Sequence, residues 1–394
     1  MHKPTPNLPT LPMHLMLTLG SWLSSPFALR CAKSAFPPLS KDALHPLSQL
    51  ENALAEEAKS RASNLMSGLL RYVEDPYTRK VSEPPVLWRK GNARLLDYGS
   101  LVTAETVDRP IVLFVPSLIN RYYILDLEED RSFLRFLSRQ GVYPLVLDWG
   151  EPGATEEAFG CDDYVTEILN AAIEFIARLS QQRIVLAGYC MGGVLTLAAT
   201  RLQSKHVAAM ALFATPWDFS CKEFAPFVID AKWHATLEAM ISTQKHLPAD
   251  VIQSLFYMTD PWLFEQKFRR FADLQDNREV RNFIALERWV NDGVPMTAQV
   301  ARDCLLGWAQ RNVLMRNEWK VDGKIIDPRK ITMPTFIAIP KNDSVVPQDC
   351  AAPLAAAMPH ASIVTPGSGH VSMIVGSHAK RELWVPFLEW ITSY

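Results

Sequence analysis

Gly188-Tyr189-Cys190-Met191-Gly192-Gly193 lies between two segments of opposite habit, and its reading decides the fold. Before it runs Arg183-Ile184-Val185-Leu186-Ala187, a short apolar, β-branched stretch suited to a buried strand. After it runs Val194-Leu195-Thr196-Leu197-Ala198-Ala199-Thr200, suited to a helix packed on a sheet. Strand, sharp turn and helix is the setting in which G-x-S-x-G becomes a nucleophile elbow, here with cysteine in the serine position. The glycines leave room for close strand–helix approach. The helix N-terminus turns free N–H groups and a positive dipole end toward Cys190, which favours a thiolate. Alone the pattern is weak, because a free cysteine is often a small buried hydrophobe.

The rest of the chain limits the choices. Its 394 residues allow two or three domains, or one large α/β domain with an insertion. Apolar residues make up 48 %, enough for a sizeable core, and the net charge of −2 argues against a nucleic-acid partner. Cys31, Cys161, Cys190, Cys221, Cys304 and Cys350 stand singly, with no C-x-x-C pair. That spacing indicates neither a zinc site nor a disulfide framework, and it suits a reducing cytoplasm. Leu15 to Leu29 is apolar but broken by Ser21, Ser24, Ser25 and Pro26, and it is too short for a transmembrane helix. It is read as part of an extension that seeks a surface or is disordered.

Four parts are expected. Residues 1–49 form a partly disordered extension, 50–84 a helical segment, 85–216 with 312–394 an α/β catalytic domain, and 217–311 a cap. Strands are expected near 94–98, 110–116, 142–149, 183–187, 207–215, 333–340 and 361–366, alternating with helices, which predicts a doubly wound, mostly parallel sheet. Ligands in such sheets bind at the carboxyl ends of the strands, where the elbow tip falls. The inserted stretch is helical in pattern and rich in Trp and Phe, most of which individually suit a core.

A cysteine nucleophile needs a base, and the base an orienter. Asp343 lies in a polar loop directly after one expected strand, and His370 in a Gly-rich loop directly after the last. Nucleophile, acid, histidine is the chain order of the α/β-hydrolase fold, so Cys190, Asp343 and His370 match in order and position. Among the nine histidines, His2, His14 and His45 lie in the extension, and His206 and His360 precede strands. His234 and His246 fall in the cap, and His378 near a helix start. Asp349 suits a helix N-cap, whereas Asp148 follows a strand and is the rival acid. The expected oxyanion donors are the N–H groups of Met191 and of Leu118, in the loop after Val115-Pro116.

At these residues the chain resembles the polyhydroxyalkanoate synthases. Pro116-Ser117-Leu118-Ile119-Asn120-Arg121-Tyr122-Tyr123-Ile124-Leu125-Asp126-Leu127 is similar to their P-P-x-[IM]-N-[KR]-[YF]-Y-I-L-D-L signature, and Gly188–Gly193 to their G-[YF]-C-x-G-G box. Leu147-Asp148-Trp149, Trp289–Met296 (W-x-N-D-G-x-P-[ML]), Asn342-Asp343-x-x-Val346-Pro347 and Gly367-x-Gly369-His370 also match. The likeness spans about residues 85–390. Ser344 departs from it, because many members carry histidine after the acid. Only about 85 residues precede the matching region, as in the short synthases that work with a second, smaller subunit.

The resemblance implies polymerisation of (R)-3-hydroxyacyl-CoA, short-chain units such as 3-hydroxybutyryl-CoA being expected, with release of CoA and growth of a polyester. The partners it implies are the acyl-CoA substrate, the growing polyester, a second synthase subunit, a homodimer and the surface of cytoplasmic polyester granules. No cofactor and no metal are expected. A thioester is activated toward a thiolate, and a thioester intermediate keeps its transfer potential. Either His370 or Asp343 then activates the 3-hydroxyl that attacks next. Two rivals remain: a cysteine-dependent hydrolase of esters, lactones or thioesters, and a non-catalytic granule-associated homologue.

Overall fold

The computed structural model describes residues 8, 10–22, 41–101, 109–221, 231–258 and 260–393. The chain divides into two compact units, residues 1–78 with 260–291, and residues 79–259 with 292–394.

The larger unit is built on an eight-stranded sheet: β1 Val86–Lys90, β2 Ala93–Asp97, β3 Ile111–Val115, β4 Tyr143–Asp148, β5 Ile184–Tyr189, β6 Val207–Phe213, β7 Thr335–Ala338 and β8 Ser362–Val364. Their order across the sheet is β1-β2-β4-β3-β5-β6-β7-β8. Only the β1–β2 and β2–β4 pairings are antiparallel. This is the doubly wound, mostly parallel sheet expected from the strand–helix alternation. Strand β1 was not expected: its Val-Leu-Trp-Arg-Lys run is half exposed and ends in two cations, which hides an edge strand among loops. The turn Gly91-Asn92 closes it onto β2, with Gly91 at φ +56°.

Side chains on successive strand positions point to opposite faces, and both faces are covered. Leu113, Val115, Leu186, Leu212 and Ile337 pack with the helical run 161–180 and the helix Met191–Leu202. Phe114, Phe213 and Phe336 meet Phe133 and Phe387, which arrive on other helices, with ring centroids 5.3–6.3 Å apart in edge contacts. Such edge contacts add to the burial energy of the rings.

Asp126, in the Y-I-L-D-L segment, is wholly buried. It accepts from Arg79 Nη2 at 2.8 Å, Arg135 Nε at 2.7 Å and Tyr98 Oη at 2.8 Å. Removing one partner of a buried ion pair leaves the others uncompensated. Asp126→Ala is therefore expected to cost about 3–5 kcal/mol of stability, read as a lower denaturant midpoint.

In the smaller unit, the helix Lys41–Glu74 lies against the helix Leu263–Asp273. Gly68 permits the approach, because a Cβ there would run into the Phe268 carbonyl. Arg71 Nη1 donates to the carbonyls of Phe271 and Leu274 at 2.9 and 2.7 Å, satisfying a helix C-terminus. Residues 11–22 are helical, and His14 stacks on Phe264 at 4.0 Å. Much of the expected extension, residues 23–40 included, lies outside the described residues. Among those described, no helix is long and apolar enough to cross a membrane.

Candidate active site

Strand β5 is buried along its whole length and ends in Cys190, whose φ of +55° and ψ of −127° make the turn sharp. A non-glycine residue held at positive φ stores strain, and such residues cluster at functional sites. The glycines of the motif are required by close approach. A Cβ on Gly192 would meet the carbonyl oxygens of Val115 and Pro116, and one on Gly188 would meet Gly193 and Thr196. The elbow is thus pressed against the end of β3.

The loop after β3 is fixed in place. Trp149, at the end of β4, donates its Nε1–H to the Pro116 carbonyl at 2.9 Å, and Leu118 follows in the buried cluster. Met191 is the first residue of the helix behind Cys190, so its N–H has no acceptor within that helix. The two expected oxyanion donors therefore lie on adjoining segments at the carboxyl ends of neighbouring strands, β3 and β5.

Asp343 and His370 lie in the loops following β7 and β8. His370 Nδ1 and Asp343 Oδ2 are 2.7 Å apart, and the Asp343 side chain is fully buried. Asp343 Oδ1 accepts from the N–H groups of Val345 and Val346 at 2.8 and 2.7 Å. Cys190 acts electrostatically on the His370 imidazole. His370 and Asp343 form a buried, hydrogen-bonded pair. Tyr189 Oη donates to the His370 carbonyl at 3.2 Å, and its ring lies beside the imidazole.

Burial alone would lower the His370 pKa, but the Asp343 carboxylate, the negative charge available on Cys190 and the hydrogen bond to Asp343 raise it to about 10. The folded chain therefore holds this proton more tightly than the unfolded chain, whose ordinary value is 6.5. The stability it contributes is complete below pH 6.5 and is lost as pH rises toward 10. Thermal unfolding from pH 6 to 10 should show Tm falling with pH, with a flatter profile in His370→Gln.

The rivals are otherwise occupied. Asp148 accepts from Arg94 Nε at 2.9 Å and from the Gly150 N–H at 3.1 Å. Asp349 is exposed on the first turn of the helix Gln348–Ala356, whose N-cap is Pro347 rather than Asp349. His206 lies at the entry to β6, and His378 is exposed.

Cys190 opens into an apolar cavity of about 80 Å³. Its walls include Ile119, Phe219, Phe256, Met296, Leu305 and Trp308, with Cys304 and Val346 also facing it. Most of these wall residues come from the stretch between β6 and β7. Sequence periodicity gave a signal for two of the walls. Ile252, Leu255 and Phe256 recur at helical spacing, as do Cys304, Leu305, Trp308 and Ala309. The period indicates an apolar face but not what that face covers.

Two motif segments, far apart in sequence, dock on each other here. Asn120 pairs with Gly293 in an antiparallel bridge, and Val294 N–H donates to the Ile119 carbonyl at 2.8 Å. Tyr123 Oη donates to Asp292 Oδ2 at 2.8 Å, and Arg121 reaches both Asp292 and Glu151. These contacts hold Ile119 and Met296 on the cavity wall.

The fold agrees with comparison to known proteins. The chain belongs to the alpha/beta hydrolase fold family, whose model matches residues 110–377. A second model, poly-beta-hydroxybutyrate polymerase (PhaC) N-terminus, matches residues 80–137. The chain is homologous to poly(3-hydroxyalkanoate) polymerase subunits PhaC. It is 29 % identical over 313 residues to that of Haloferax mediterranei, covering 78 % of this chain and 63 % of that protein. It is 29 % identical over 322 residues to that of Haloarcula marismortui, covering 78 % and 67 %. With the protein of Thiocystis violacea it is 24 % identical over 359 residues, covering 89 % and 99 %. The chain thus spans under two thirds of the first relative's length and nearly all of the third's.

Proposed function

We propose that this chain is an acyltransferase that polymerises short-chain (R)-3-hydroxyacyl-CoA into polyester, with Cys190 carrying the acyl group as a thioester. The observation that carries this reading is Cys190 at a strained elbow, backed by the buried His370–Asp343 pair and facing an apolar cavity. The homology to PhaC subunits supports the substrate class.

Cys190 reacts as the thiolate, its proton held on His370 as the imidazolium. The thiolate attacks the thioester carbonyl, and the N–H groups of Met191 and Leu118 stabilise the oxyanion. The carbon–sulfur bond to CoA breaks, and the departing thiolate recovers the proton from His370. In the second half of the cycle, a base takes the proton of a 3-hydroxyl, the oxygen attacks the acyl carbonyl held on Cys190, and the carbon–sulfur bond breaks, so that the acyl chain passes to the hydroxyl as an ester and the Cys190 thiolate is restored. What supports His370 over Asp343 as that base is occupancy. Both Asp343 oxygens already accept hydrogen bonds, and its side chain has no exposed surface to meet a hydroxyl.

An apolar cavity excludes water and so suppresses hydrolysis of the thioester. Its volume of about 80 Å³ supports a short acyl side group. That is roughly half the ~150 Å³ of an engineered apolar cavity that admits benzene. The same reading pairs the chain with a second, smaller subunit, allows a homodimer and places it at polyester granules in the cytoplasm. Its support is the likeness to the short synthases.

The test is incubation of the chain, alone and with a small partner subunit, with 3-hydroxybutyryl-CoA, measuring released CoA and product length. Insoluble polymer in step with CoA release is expected. Free 3-hydroxybutyrate as the sole product would replace the synthase reading with a hydrolase.

A further inference from the structure

The smaller unit holds a cavity of about 260 Å³ with cationic and aromatic walls. Elements from both of its chain segments meet there. The helix Leu263–Asp273 buries Phe264, Phe268 and Phe271 on one face. Beside that face Glu265, Gln266, Arg269 and Arg270 recur at steps of one and four residues, and they form one wall of the cavity. Trp262, directly before the helix, and Trp22, at the end of the helical stretch 11–22, supply two indoles. Arg61 reaches the cavity from the helix Lys41–Glu74.

The charges on these walls do not cancel. Three guanidinium groups and one carboxylate line the cavity. Arg61 pairs with Glu57 one turn away at 2.7 Å, but both side chains are exposed, and such pairs are weak. Arg270 is exposed and forms no ion pair among the described residues. Glu265 is 3 % exposed. Its Oε1 stands 3.1 Å from Arg269 Nε, yet the approach makes no hydrogen bond, and Oε1 has no other partner among the described residues. A buried acceptor left open at a cavity wall calls for a donor from a ligand.

We propose that this cavity binds a nucleoside phosphate. The base is a flat aromatic ring that stacks on an indole, and Trp262 is 42 % exposed and open to it. Arg270 and Arg61 donate to phosphate oxygens, for which the planar guanidinium has the matching fork of N–H groups. A ribose hydroxyl or an amino group of the base supplies the donor that Glu265 lacks. Inorganic phosphate would leave the indoles and Glu265 unused, and an uncharged aromatic ring would leave the arginines unused. Two sources share this chemistry, a free nucleotide and the nucleotide end of CoA. The second rests on the acyl-CoA reading of the chain, and the first does not.

The test is calorimetric titration of the full chain with ATP, CoA, adenosine and inorganic phosphate in turn. ATP or CoA should bind at one site that added KCl weakens. Adenosine, lacking phosphate, and phosphate, lacking a base, should each bind about tenfold more weakly or worse. The tighter of ATP and CoA identifies the source. Trp262→Ala should weaken binding about tenfold, the typical worth of one stacked base, and Arg270→Glu should weaken it further. Both side chains are exposed, so the fold tolerates either change. Arg316→Glu reverses an exposed charge on the larger unit and should leave the affinity unchanged. Absence of nucleotide binding, phosphate binding as tight as ATP, or affinities for ATP and CoA that neither Trp262→Ala nor Arg270→Glu alters would each overturn the proposal. So would an equal loss in Arg316→Glu. CoA release is measured separately, so a failure of the acyl-CoA reading leaves the ATP titration decisive.

Discussion

Cys190→Ala should abolish CoA release while leaving the fold intact. Loss of an enzyme nucleophile costs roughly 10⁴–10⁶ in turnover, because the remaining groups only bind and polarise the substrate. The folded state loses little. Cys190 is only half buried, its backbone N–H bonds the Phe213 carbonyl at 2.8 Å whatever the side chain, and alanine occupies the same positive φ. A stability change within about 1 kcal/mol is expected. The substitution has a second readout, because the charge on Cys190 helps to raise the His370 pKa. An NMR titration of the imidazole should move to lower pH in the variant. Retention of a tenth of the wild-type rate would remove Cys190 from the chemistry.

Asp343→Asn should have the next largest effect, a fall in turnover of about 10⁴ by analogy with orienting carboxylates in other triads. The carbonyl of asparagine can still accept from Val345 and Val346 N–H. Its amide then turns a donor toward His370 Nδ1. That forces the imidazole tautomer with hydrogen on Nε2, which cannot accept a proton from Cys190. The His370 pKa should also drop, since the Asp343 charge is the largest influence raising it. The pH profile of turnover should shift with it. Asp148→Asn provides the contrast: it breaks the pair with Arg94 and should cost stability rather than turnover. The opposite pattern would make Asp148 the orienter.

The sheet was legible where strands are buried on both faces, because such strands read as continuous β-branched runs bounded by turns. Strands β3 to β6 follow that rule closely. Strand β1 did not, since an edge strand faces water and shares the composition of a loop. The nomination of Cys190, Asp343 and His370 rested on chain order and on each residue directly following a strand. The structure sets His370 Nδ1 2.7 Å from Asp343 Oδ2, in the loops after β8 and β7, and Cys190 at the turn after β5. What periodicity could not supply was pairing across long separations. Nothing local announces that Asn120 meets Gly293, or that Phe268 abuts Gly68. The grouping of residues 260–291 with the N-terminal helix is of the same kind. An amphipathic period reveals Phe264, Phe268 and Phe271 as an inward face without naming its partner. Asp126 was passed over within a recognised motif, because a carboxylate in a sequence gives no sign that two arginines and a tyrosine will converge on it.

The central claim is a covalent acyl group on Cys190. It is tested by mixing the chain with a short excess of 3-hydroxybutyryl-CoA, quenching in acid, and weighing the tryptic peptide 184–201, which contains Cys190. The account predicts that this peptide carries one or more hydroxybutyryl units, released by hydroxylamine as expected of a thioester. CoA release with peptide 184–201 unmodified at every quench time, or acyl units on another residue, would contradict it.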